Sequence, residues 1–163
     1  MGSEVLSSPA VERVRQALAA AGLRADIVEL PGAARTAKAA AEFLGCDVAQ
    51  IANSLVFRGA ASDAAILVMS SGAKRVDLGK LEKVAGEPIA KADAKFVREA
   101  TGFAIGGVAP VGHTGRLRRF VEVSLSRHAE IWAAAGHPNT VFRLGYADLL
   151  RLTGGEPVDV ADS

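Results

Sequence analysis

The chain has 163 residues, half of them hydrophobic and 23% charged, with a formal net charge of +1. This composition suits one compact domain with a real core and excludes a disordered chain. The charge balance excludes a global basic field for gripping duplex nucleic acid, and a single cysteine, Cys46, excludes an internal disulfide framework.

The N-terminal stretch "MGSEVLSSPAVERV" has no apolar core of the signal-peptide type. No run approaches the roughly 20 apolar residues of a membrane span. The expected location is a reducing cytoplasm. In "AVERVRQALAAAG", Val11, Val14, Leu18 and Ala21 recur at helical spacing. Ser8 can cap that helix, Pro9 suits its first turn, and Gly22 can end it. "ADIVEL" (25–30) reads as a strand stopped by Pro31-Gly32. A second helix begins at Thr36, carries Ala37, Ala40, Ala41 and Leu44 on one face, and ends at Gly45. "DVAQI" adds one turn.

Ser54 to Phe57, in "QIANSLVFRG", reads as a strand with Asn53 at its mouth. "AAILVMSS" (64–71) is a continuous apolar run and therefore a central strand, reached through a hairpin-like loop. Two helices follow. "VDLGKLEKVAG" groups Leu78, Leu81 and Val84, and "ADAKFVREATG" offers Asp93 as cap, Phe96, Val97 and Ala100 as inward face, and Gly102 as stop. In "GFAIGGVAPVGHTG" (102–115) five glycines and a proline interrupt a β-like apolar pattern. "RRFVEVSLS" (118–126) alternates as a strand does, "HAEIWAAAG" reads as a short helix, "TVFRLG" as a strand, and "YADLLRLTGG" as a closing helix. The residues from Glu156 on read as a frayed end. Without a regular βαβ rhythm or an internal repeat, these elements imply one α+β domain over residues 1–163, with a mixed or curved sheet and helices around it.

The glycine-rich segment is the first candidate for chemistry. It lacks G-x-G-x-x-G, and "SGAKRV" lacks the Walker spacing, so neither is a nucleotide loop. Gly106 and Gly107 let backbone N–H groups approach a carbonyl or oxyanion, and a bulged strand or tight corner is the simpler account of the same residues. His113, His128 and His137 have no metal-ligand spacing. His113, beside the glycines, reads either as an exposed loop residue or as a site residue. Cys46 reads as an inert packed thiol, and no G-x-S-x-G elbow exists. Basic residues cluster at Lys74, Arg75, Lys80 and Lys83, and again at Arg116, Arg118, Arg119 and Arg127. They read as solvated charge or as phosphate contacts for a single-stranded nucleic-acid end.

The order "QIANSLVFR", "AAILVMSSGAKRVDLGKL", "KADAKFVREATGFAIGGVAPVGH" and "VEVSLSRHAEIWAAAGHPNTVFRL" resembles the YbaK/ProX family of trans-editing aminoacyl-tRNA deacylases. That family is related to the editing domain of bacterial prolyl-tRNA synthetase. The resemblance covers about residues 28–152, and Gly106 to Pro110 carries the G-x-x-x-P signature. It implies a curved, partly closed mixed sheet surrounded by helices. It also implies metal-independent, cofactor-free hydrolysis of the ester joining a wrong amino acid to a tRNA 3′ end. The implied partners are the tRNA acceptor end and an aminoacyl-tRNA synthetase, with no membrane and no duplex DNA. The site residues implied are Asn53 and Gly106 for catalysis, with Thr36, Lys74, Gly107, Pro110, His113 and Glu122 around the substrate.

One position departs from the family. A signature lysine is expected where Asn53 stands. An amide offers neutral donors where lysine offers a full charge, and a charge-assisted hydrogen bond is roughly twice as strong. Lys74 is a second source of charge. Two readings follow: a deacylase that works through an amide, or a non-catalytic module that binds tRNA, a synthetase or an amino acid. A DNA-binding protein is the weakest reading, because no recognition-helix pair is evident.

Overall fold

In the computed structural model, which describes residues 4–32 and 36–162, the helices start and stop at their capping residues. The Ser8 side chain accepts from the Val11 amide at the head of α1 (Pro9–Ala20). Thr36, Asp77 and Asp93 cap α2 (Ala37–Leu44), α3 (Leu78–Ala85) and α4 (Ala94–Thr101) in the same way. Each of these three helices ends at a left-handed glycine, Gly45, Gly86 or Gly102. A fifth helix, α5 (Tyr146–Thr153), ends at Gly154 without a side-chain cap at its start. "DVAQI" supplies the expected extra turn, Val48–Gln50, closed by a capping box between Asp47 and Gln50.

The strands are β1 (Val28–Glu29), β2 (Ile51–Gly59), β3 (Ala65–Ser71), β4 (Ile89–Lys91), β5 (Arg118–Glu122), β6 (Ile131–Ala134), β7 (Thr140–Leu144) and β8 (Glu156–Val158). They form one mixed sheet in the order β1-β7-β6-β2-β3-β5-β8, with β4 attached to β2. β3 is central, as its apolar run implies. Leu67 and Met69 face one core with Val14 and Leu18 of α1, Val97 of α4 and Leu149 of α5. Ile66 and Val68 face a second core with Leu81 and Ala85 of α3. The alternation along one strand thus buries side chains on both faces. A third, smaller core joins α2 to the start of β2 and to Val141.

The α+β class with a mixed sheet is as expected, and several details are corrected. The sheet is not closed into a barrel: β1 and β8 are its two ends. β1 spans only Val28–Glu29, because it meets β7 through those two residues alone. "IWAA" in "HAEIWAAAG" is β6, not a helix. Ile131 and Ala133 point into the core while their neighbours are half-buried, and sheet pairing on both sides overrides the helix propensity of alanine. The C-terminal residues are not frayed: β8 runs parallel to β5, and Val158, Val160 and Ala161 are buried. On α3, Leu78 and Val84 are exposed, and the inward pair is Leu81 with Ala85. The glycine-rich segment contains no strand. β2 is longer than the expected Ser54–Phe57, so Asn53 sits inside a strand rather than at its mouth.

Candidate functional site

β2 is paired to β3 along one edge, from Ala52 to Arg58. Its other edge is shared between two short partners. β6 pairs at Ile51 and Ala52, and β4 pairs at Phe57 to Gly59. Among the described residues, the stretch 53–56 has no strand partner on that edge. Gly59 donates to Ala64 and Ile51 accepts from Gly72 on the β3 side. Antiparallel alternation therefore turns the backbone N–H and C=O of Ser54 and Val56 toward the gap.

A pocket of about 320 Å³ opens at this gap. Three of the sequence-derived site residues meet in it: Thr36, Asn53 and Gly106. They come from the head of α2, from β2 and from the glycine-rich loop. The Asn53 side chain makes no hydrogen bond among the described residues, so both its donor and its acceptor are available to a ligand. Thr36 already accepts from the Ala39 amide, and so works as a cap as well as a wall. The apolar walls include Ala37, Ala40, Ile51, Ala134 and Trp132. Among the described residues, no acid, base or thiol lines the pocket.

Gly106 owes its place to conformation and Gly107 to space. Gly106 has φ +86°, in the left-handed region, and a Cβ there would reach Pro138 only at 3.6 Å. Its N–H has no hydrogen-bond partner among the described residues. Gly107 packs on the His137–Pro138 backbone so closely that a Cβ would lie 2.8 Å from the His137 carbonyl carbon. Its N–H donates to the Ala104 carbonyl at 2.9 Å, so it closes the turn around Gly106 rather than facing a ligand. The opposing 137–140 turn is itself fixed. The Thr140 amide and hydroxyl both donate to the His137 carbonyl, at 2.9 and 2.8 Å.

The remaining sequence-derived residues lie elsewhere. Pro110 is buried behind the loop and does not line the pocket. His113 is tied into the loop's base: one ring nitrogen meets the Ala109 carbonyl at 2.6 Å and the other meets Arg119 at 3.3 Å. Burial, outweighing its bond to Ala109, pushes its pKa down to about 4, so the ring is neutral at pH 7. It then donates from Nε2 to Ala109 and accepts at Nδ1 from Arg119. Glu122 is 1% exposed, and its carboxylate accepts from the amides of Ser124, Val160 and Ala161. It clasps the C-terminal segment. Lys74 lines a separate polar cleft with Glu122, away from Asn53. Cys46 is half-buried, and burial together with Asp47 pushes its thiol pKa up, as an inert thiol requires.

Two contributors escaped the sequence reading. Ser54 owes its position to the gap, which is a property of strand pairing. Arg13, on α1, donates from Nε to Gly112 at 2.7 Å and from Nη2 to Gly102 at 2.8 Å, and stacks over Phe103. It ties together the two ends of the loop that carries Gly106. Its 99-residue separation from Gly112 leaves no local signal.

The fold and site define an α+β protein with an uncharged pocket at an unpaired stretch of its sheet. Comparison with known proteins names the class. The family model of the aminoacyl-tRNA editing domain matches residues 32–152. The chain belongs to that family. It is 33% identical over 119 residues to the uncharacterized protein YwhH of Bacillus subtilis (strain 168), across 73% of this chain and 75% of that one. A solved structure of a candidate trans-editing enzyme for prolyl tRNA synthetase is 44% identical, with a TM-score of 0.90 over 96% of this chain and 99% of its own. A scaffold protein from computational epitope grafting is 41% identical, also with a TM-score of 0.90, over 96% of this chain and 99% of its own. No helix among the described residues is long and apolar enough to cross a membrane.

Proposed function

We propose that the protein hydrolyses the ester of a mischarged aminoacyl-tRNA, acting in trans on tRNA charged by a synthetase. One observation carries this reading: Asn53 and Gly106, each with an unengaged hydrogen-bond donor, line one pocket in a chain of the editing-domain family. In this reading the amino-acid side chain lies against Ala37, Ala40 and Ala134. The ester carbonyl faces the Gly106 N–H and the Asn53 amide. Both donors are neutral, and they stabilise the oxyanion as water adds to the carbonyl carbon. The bond to the ribose oxygen then breaks, giving free amino acid and a ribose hydroxyl. With no acid or base among the described lining residues, the water proton passes to the leaving oxygen through the neighbouring ribose hydroxyl. No step draws on a metal or cofactor.

The structural neighbour described as a candidate trans-editing enzyme for prolyl tRNA synthetase supports tRNA charged by that enzyme as the first substrate to test. The experiment is incubation with tRNA carrying alanyl, seryl, cysteinyl or threonyl esters. Deacylation well above buffer for at least one is expected. Tight tRNA binding without turnover of any would instead favour a binding module, the reading that Asn53 in place of lysine motivates.

A further inference from the structure

The strands β3, β5 and β8 are neighbours and run parallel, so their C-terminal ends lie together on one side of the sheet. In open sheets, ligands bind in the crevice outside such ends. Here the crevice is a cleft of about 460 Å³, larger than the pocket at Asn53 and sharing no lining residue with it. Each strand sends a segment to it. Lys74 follows β3, Ser124 and Arg127 follow β5, and Asp159 and Asp162 follow β8.

The lining groups divide into those already engaged and those left over. Glu122 gives its carboxylate to three backbone amides. Lys80, from α3, is held by the Ala161 carbonyl at 2.8 Å and by Asp159 at 3.5 Å. Lys74, half-buried, and Arg127, exposed, have no hydrogen bond or ion pair among the described residues. The Ser124 hydroxyl is buried without a partner. An orphaned hydroxyl is costly unless something meets it. On the acidic side, Asp162 accepts from the Arg75 amide at 3.1 Å, and its own amide donates to the Arg75 carbonyl at 2.9 Å. That pairing sets Asp162 beside Lys74, yet no ion pair joins the two.

We propose that this cleft binds a free α-amino acid in its zwitterionic form. The ligand carboxylate meets Lys74, Arg127 and the Ser124 hydroxyl, and its ammonium meets Asp162 and the open oxygen of Asp159. The charge balance of the lining carries this choice. A simple anion would face the exposed carboxylates of Asp159 and Asp162, and a simple cation would face Lys74, Lys80 and Arg127. A ligand with both charges at short spacing avoids each conflict. Val123, 39% exposed, gives its side chain an apolar wall of limited extent. This site is independent of the ester reaction at Asn53, and stands or falls without it.

The test is titration of the isotope-labelled full chain with L-alanine, L-serine and L-threonine, followed by backbone amide shifts. Concentrations reach about 100 mM, enough to fill a site of millimolar affinity. Saturable shifts are expected at residues 74–75, 123–127 and 159–162, and they should persist in Asn53→Ala, which alters only the other pocket. Propionate and ethylamine each keep one of alanine's two charges and should bind roughly ten-fold more weakly, or worse. Lys74→Ala and Asp162→Asn should each weaken alanine by a similar factor; should either fail to fold, the analogue series in the unaltered protein decides. Absence of saturable shifts at these residues would overturn the proposal. Propionate or inorganic phosphate binding as tightly as alanine would do the same, making the cleft an anion site. So would alanine shifts confined to the residues around Asn53 and Gly106.

Discussion

At the scale of single residues, the site depends on groups that hydrogen-bond without carrying charge. Asn53 stands where a lysine is expected and makes no hydrogen bond to the described protein. Its removal should therefore cost activity and little stability. Asn53→Ala is expected to lower kcat by about a hundred-fold, the usual loss for one oxyanion donor, with unfolding stability within about 0.5 kcal/mol of the parent. Paired stopped-assay kinetics and denaturant melts check both halves. His113 behaves in the opposite way: it is structural and titrates. Its folded pKa, about 4, lies below its ordinary 6.5. Between those values the unfolded chain binds a proton that the folded one does not, so its contribution is complete above pH 6.5 and is lost as pH falls toward 4. Up to about 3 kcal/mol is at stake. Urea melts from pH 7 to 4.5 should show this loss, and His113→Gln should flatten the slope. An equal slope in both proteins would assign the acid sensitivity to other groups.

At the scale of elements, the glycine-rich loop is held from both sides. Arg13 ties its ends together and the 137–140 turn packs against its apex. Arg13→Ala gives up two charge-assisted bonds, and a loss of about 2 kcal/mol is expected, with Arg13→Lys recovering only part because one ammonium cannot serve both carbonyls. The two glycines should respond differently. Gly107→Ala drives a methyl into the His137–Pro138 backbone and should cost about 2 kcal/mol and displace the loop. Gly106→Ala makes only ordinary van der Waals contact with Pro138 and should cost about 1 kcal/mol, from its positive φ. Denaturant titration of the pair separates crowding from backbone strain. The same elements show what a sequence exposes. Helices with a side-chain cap at one end and a glycine at the other, such as α2, α3 and α4, are legible because both signals are local. β6 is not, because "IWAA" is extended only through its neighbours β2 and β7. β8 is not, because its partner β5 lies far back in the chain.

For the whole molecule, the site follows from an interruption in a sheet. β6 and β4 take the two ends of one edge of β2 and leave residues 53–56 uncovered. The pocket opens there, beside Gly106. Of the residues the family resemblance names, Asn53, Gly106 and Thr36 line one pocket, since all three belong to segments that surround the gap. The same resemblance put Lys74, Pro110, His113 and Glu122 near the substrate, whereas the fold uses the last two as a loop anchor and a clasp. For Glu122 the role depends on a partner distant in sequence, Val160, which no local pattern announces; His113 is held by the nearer Ala109 and Arg119, which only the folded loop brings onto its ring. Single-turnover deacylation of mischarged tRNA under excess protein, with the native chain and Asn53→Ala side by side, tests the central claim most directly. Ester loss by the native protein that falls about a hundred-fold in Asn53→Ala is predicted. No ester loss above buffer, or equal rates in the two proteins, would contradict the assignment of hydrolysis to this pocket.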